Sequence, residues 1–170
     1  RILVVALLGG LVNWAGALGA LAGTSNERTN EIWIVELQGE VKVLSGGATN
    51  WVLTRAGQDL HPSDHLRTGP NSRATLHWPG ESGVPLGADT EIIILPPDAP
   101  GSEGGLHFLK GIFSFFHRGE AARFRVVSSS VSAGIKGTEF VARIETVNGV
   151  ERTTFSVIDG EVELGNAQGN

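Results

Sequence analysis

The residue types able to do chemistry fall in three short stretches of the chain. His61-Pro62-Ser63-Asp64-His65 places two imidazoles and a carboxylate side by side. On a helix, histidines four apart would share a face and could hold zinc. Pro62 and the neighbouring turn-forming residues disfavour a helix there. The expectation is a solvated turn in which Asp64 bonds its own backbone, with no metal and no other cofactor. Gly80-Glu81-Ser82-Gly83-Val84-Pro85 has the outline of a serine nucleophile. Such a serine needs a histidine base, a buried carboxylate behind it and a prepared oxyanion hole. This stretch lacks the strand–turn–helix setting of a nucleophile elbow and reads as turn chemistry. A hydrolase built on His61, Asp64 or Ser82 would need those groups to converge in one cleft, and no catalytic residue is assigned. The third stretch is basic: His117, Arg118, Arg123 and Arg125 follow the aromatic run Phe113, Phe115 and Phe116. Guanidinium groups on an exposed turn suit an acidic partner, so these four are the expected partner-binding positions.

The elements that must hold these residues are strands. Val41–Val43, Ala74–Trp78, Glu91–Leu95, Phe124–Val127 and Phe155–Ile158 are short runs with period-two alternation or apolar content, separated by turn residues. No stretch after residue 23 keeps an apolar stripe at helical spacing over three turns. The expected fold is all-β: sandwich-like or rolled, mostly antiparallel, with Gly-rich turns, preceded by an N-terminal hydrophobic signal helix.

One pattern, apolar-x-Gly-x-apolar-x-apolar, occurs at Leu37–Val43, Leu109–Phe115 and Ile158–Leu164. In each, glycine permits a sharp turn or bulge before side chains alternate into a core. Residues 96–105 form a Pro/Gly connection that splits the strands into two groups and is a candidate interaction loop. Ser128-Ser129-Ser130 reads as a polar bend. Trp33, Trp51 and Trp78 are expected to fill the core rather than to stack on sugars.

Composition narrows the function classes. The chain has 170 residues, a net charge of −5 and no cysteine. A disulfide framework, thiol catalysis and thiolate zinc sites are therefore excluded. The acidic balance argues against a general nucleic-acid partner. Arg1, the apolar run from Ile2 to Val12 and the Ala20-Leu21-Ala22 site have the three parts of an export signal. The segment is also about long enough to span a bilayer. Residues 1–22 are accordingly a signal peptide or a signal anchor, 23–34 a linker and 35–166 one β domain. Residues 167–170 would begin a truncated continuation. Export places the domain in the periplasm or elsewhere in the extracytoplasmic envelope. Membrane contact is expected only through an uncleaved N-terminal segment.

Six ordered segments carry a family resemblance. They are Gly39–Val43; Leu66-Arg67-Thr68-Gly69 with Ser72–Leu76; Leu86–Ile92; Leu109-Lys110-Gly111 with Phe113–Phe115; Ala133–Phe140; and Val157–Val162. Over about residues 37–166 the chain resembles the FecR family, the periplasmic domain of ferric-citrate-type regulators and related exported envelope proteins. In that family the last of these segments resembles a closing hairpin. The resemblance implies a non-enzymatic sensory or protein-interaction module with no catalytic residues. Its partner would be an envelope protein or a neighbouring domain of the same polypeptide. Regulators of the family begin with a sigma-factor-binding segment, and an export-type leader takes its place here. The alternatives are a cell-wall glycan or polysaccharide module and the periplasmic half of an anti-sigma regulator.

Overall fold

The computed structural model describes residues 31–80, 82–97, 104–117 and 122–166. The expected signal segment, most of the linker, the centre of the 96–105 connection and residues 167–170 lie outside the described residues. Twelve strands form one sheet. They are β1 (Ile32–Gln38), β2 (Val41–Leu44), β3 (Val52–Leu53), β4 (Asp59–Leu60), β5 (His65–Thr68) and β6 (Arg73–Trp78). These are followed by β7 (Ser82–Leu86), β8 (Glu91–Leu95), β9 (Gly105–His117), β10 (Ala122–Val127), β11 (Val131–Val147) and β12 (Val150–Asn166). Among the described residues there is no helix, hence none to cross a membrane. The all-β expectation holds.

The main path runs β3-β2-β5-β8-β9-β7-β6-β1-β4; β10 and β11 branch from β9, and β12 pairs with β11. β9 is the hub because it bends at Gly111. Its first half pairs with β8 and, in parallel, with β10, whereas its second half lies between β7 and β11. The second half of β9 thus acts as the crossover that a parallel pair requires. Every other pairing is antiparallel.

Side chains alternate as the sequence pattern requires. In β6, Ala74, Leu76 and Trp78 are buried, as are Phe113 and Phe115 in β9 and Phe124 and Val126 in β10. Trp78 meets Phe124 edge-on at 5.0 Å, and Phe115 stacks on Phe140 at 5.3 Å. Each buried ring contributes about 1.5–3 kcal/mol of transfer free energy, which replaces the disulfides the chain lacks. Trp33 and Trp51 depart from expectation. Both are only half-buried: Trp33 stacks on His77 at 5.4 Å, and the Arg67 guanidinium lies 4.3 Å over Trp51.

The three recurrent glycines all adopt positive φ, at +78° for Gly39, +98° for Gly111 and +117° for Gly160. Only the first is a turn, joining β1 to β2. Gly111 and Gly160 are bends inside continuous strands, so the expected closing hairpin at 157–162 is instead the middle of β12. The hairpin itself turns at Asn148-Gly149, both at positive φ as a two-residue type I′ turn demands. The sheet also starts earlier than the linker boundary at 34. Ile32–Ile34 already pair in β1, and Ile34 belongs to the core. Burial of Ile34 is what recruits the stretch into the sheet.

Hydroxyl groups hold the bends. Thr68 Oγ1 donates to the Gly87 carbonyl at 2.6 Å and accepts from the Thr90 N–H at 2.9 Å. Thr90 Oγ1 in turn donates to the Ile112 carbonyl and accepts from the Ile112 N–H, both at 3.0 Å, beside the Gly111 bend. Ser72 Oγ accepts from the Glu40 N–H at 2.9 Å, next to the Gly39 turn. Backbone groups freed from the ladder at each irregularity thereby keep a partner.

Candidate functional site

The first chemistry-bearing stretch is a turn exposed at His61, Pro62 and Ser63, as expected, with only the Asp64 side chain buried. Asp64 is 5% exposed, and its carboxylate accepts from the Gly46 N–H and the His61 N–H, each at 2.9 Å. Ser63 takes a φ of +73° to make the turn. The His61 ring reaches Asp64 at 3.7 Å, while His65 turns away to meet the edge of Trp51. Among the described residues no group of three metal-ligating side chains forms. The Asp64 carboxylate is a backbone clamp between the β4–β5 and β2–β3 connections.

Ser82 does have a histidine partner, one the sequence reading did not pair with it. Its Oγ lies 2.8 Å from His117 Nδ1, because Ser82 and His117 are register partners on β7 and β9. Ser82 is only 2% exposed and sits in a sheet strand with no helix behind it. Neighbouring Gly83 lies beneath the ring of Phe116, which fills the place of a Cβ. The pair closes one end of the core and offers no exposed oxygen to a substrate.

The four expected partner-binding positions are divided. His117 follows the core-facing register of Phe113 and Phe115 and turns to Ser82. Arg125 alternates with buried Phe124 and Val126, so it stands on the outer face of β10. Arg123 shares that register by backbone pairing, opposite Lys136 of β11, and Arg118 lies outside the described residues. Lys136 is a cation the sequence reading left out. Its position in the outward register of β11, two residues from Gly134, was the available signal. Arg125 is flanked by Gly105 on β9 and Gly134 on β11, and nothing lies within 4 Å of where a Gly134 Cβ would be. On the β9 side Gly105 is buried tightly against the Arg125 backbone and Arg125 is half-buried, so the open surface lies on β11, at Gly134 and exposed Lys136.

A second surface lies at β12, which among the described residues pairs only with β11. The strand is amphipathic. Phe155 and Val162 pack on the core from one face, and Glu161 and Glu163 occupy the other. Glu161 stands opposite Lys136 and Glu163 opposite Gly134, so the outer face changes from basic to acidic between β11 and β12.

No curated protein and no solved structure matches the chain. A protein-family comparison matches residues 64–163 to FecR protein. The match opens at the Asp64 clamp and runs through β5 to most of β12, while β1–β4 join the same sheet ahead of it. Members of this regulatory family are typically associated with the cell envelope. With more than half of its length matched and the expected segments forming one β-sheet domain, the chain belongs to the FecR family.

Proposed function

We propose that the chain is a non-enzymatic sensory or protein-interaction module, exported to the periplasm or the wider extracytoplasmic envelope. It signals by engaging an envelope protein or a neighbouring domain. Family membership supports the regulatory setting. The observation that carries the interaction reading is the outward register of β10 and β11, where exposed Lys136 and half-buried Arg125 stand beside Gly134, which leaves open space on the sheet face. Charge-assisted hydrogen bonds from such groups to partner carboxylates would set register and on-rate. Arg118 and Arg123 would extend the same contact, whereas His117, turned to Ser82, would not.

The serine and histidine groups serve packing in this reading. Ser82 and His117 satisfy each other at the core's end, and Asp64 satisfies backbone donors. The test is site-specific photo-crosslinking from Arg125 and Lys136 in intact cells, followed by fractionation. The expected result is an adduct with an envelope protein or domain, lost when Arg123, Arg125 and Lys136 are all changed to Glu. Adducts at background level, or partner capture indifferent to that charge reversal, would overturn the reading.

A further inference from the structure

Among the described residues, β12 is an edge strand of unusual length. The ends of the main sheet path are closed by β3 and β4, each of 2 residues, whereas β12 runs for 17. Proteins usually blunt edges by shortness, proline, lysine or strong bulging. β12 carries neither proline nor lysine and has one bend, near Gly160.

The hairpin register says which backbone groups are free. A two-residue turn makes Val147 and Val150 a pair that exchanges both hydrogen bonds. Alternation then directs the N–H and C=O groups of Thr153, Phe155 and Val157 away from β11. Beyond the bend, the same reasoning applied from the β10–β11 turn frees those of Val162 and Leu164. These residues also face the core side, and their apolar surface is incompletely covered: Val157 is 43% exposed and Leu164 63%. Of the nine exposed large hydrophobic residues among those described, five lie on the β11–β12 hairpin. Free backbone groups and uncovered apolar side chains thus coincide on one edge.

Charge selects the occupant. β12 holds Glu151, Asp159, Glu161 and Glu163 against the single base Arg152. A second β12 laid against this edge would set two acidic strands side by side, which like-charge repulsion opposes. An added strand with cations on its outer face meets Glu161 and Glu163 favourably.

We propose that the free edge of β12 receives an extended segment of a partner protein, apolar on one face and bearing lysine or arginine on the other, as a further strand of the sheet. This rests on the interaction reading above and names a surface and a chemistry for the partner. Main-chain bonds would supply affinity, and alternate side chains would supply selection. The segment's apolar residues would cover Val157 and Leu164, and its bases would meet the glutamates.

The test uses the 170-residue chain and two synthetic peptides, one alternating Val and Lys and one alternating Val and Glu. Fluorescence anisotropy gives the affinities, and amide hydrogen exchange locates the contact. The lysine peptide is expected to bind about tenfold or more tightly than the glutamate peptide at low salt. It should slow exchange at Thr153, Phe155, Val157, Val162 and Leu164. Glu161→Lys with Glu163→Lys should invert the preference. Leu164→Pro should weaken binding while sparing the β11 ladder, since its N–H points outward. Equal binding of both peptides, or protection confined to other strands, would overturn the proposal. So would a dimer in sedimentation with the β12 amides already protected, which would give the edge to a second copy. The module reading fails separately: crosslinks at Arg125 without β12 protection sink only the edge, and β12 binding without envelope adducts sinks only the module.

Discussion

Replacing Gly111 by alanine isolates what holds the bend in β9. Gly111 sits at φ +98°, and an added Cβ would lie 2.4 Å from Thr90 Oγ1 and 2.5 Å from Thr90 Cα. A left-handed conformation costs an L-residue about 1–2 kcal/mol. Relieving a clash with backbone costs roughly a further 1–3 kcal/mol, because a main-chain atom cannot rotate aside as a side-chain tip can. Moving Thr90 also strains its two bonds to Ile112, each worth about 1 kcal/mol. The expected loss is about 3–6 kcal/mol, a fall in Tm on the order of 10–18 °C for a domain of this size. Two other glycines separate the contributions. Gly149 has φ +78° with nothing within 4 Å, so Gly149→Ala bears the conformational cost alone, about 1 kcal/mol. Gly134 has neither a positive φ nor a neighbour within 4 Å, so Gly134→Ala should be neutral or stabilise by about 0.5 kcal/mol. Urea unfolding followed by Trp fluorescence, with thermal melts by circular dichroism, measures all three. A Gly111→Ala loss no larger than that of Gly149→Ala would refute the reasoning.

Two further substitutions test the groups that looked chemical. Asp64→Ala should cost about 2–3 kcal/mol by stranding the Gly46 and His61 N–H groups, while His61→Ala, on an exposed ring, should stay within about 0.5 kcal/mol in the same urea experiment. Ser82→Ala should lower stability by about 1 kcal/mol and leave hydrolysis of an activated ester at the buffer rate before and after the change, whereas serine-dependent turnover would contradict the packing role.

Period-two alternation and glycine punctuation made the strand-built fold legible, because both reflect the pleat and local backbone limits directly. The positive-φ pattern at Gly39, Gly111 and Gly160 was readable as "turn or bulge", yet which of the two depends on pairing partners far along the chain. Gly160 shows why: its bend is defined by the shifted register opposite Gly137 and Glu139. Asn148-Gly149 between alternating runs is a local hairpin signal that points to the β11–β12 ribbon. The basic stretch is divided for a different reason. His117 and Arg125 are near in sequence, but their registers on β9 and β10 leave them on opposite sides of the sheet. Lys136 joins Arg123 only through cross-strand pairing.

The residues that carry the family resemblance and those that could meet a partner are largely different residues. Gly39, Thr68, Ser72, Thr90 and Gly111 act inward, closing turns and bends through hydroxyls and positive φ. Arg125, Lys136, Glu161 and Glu163 belong to the outward register of their strands. A scaffold of this kind separates folding from recognition. Its bends define one sheet, and the outward positions of β10, β11 and β12 are left to vary in chemistry at little cost in stability. Lys136 marks the meeting of the two roles, lying within the glycine-rich segment Ala133–Val141 yet facing Arg123 on one side and Glu161 on the other. Reversing its charge should therefore change partner affinity well before it changes the melting temperature.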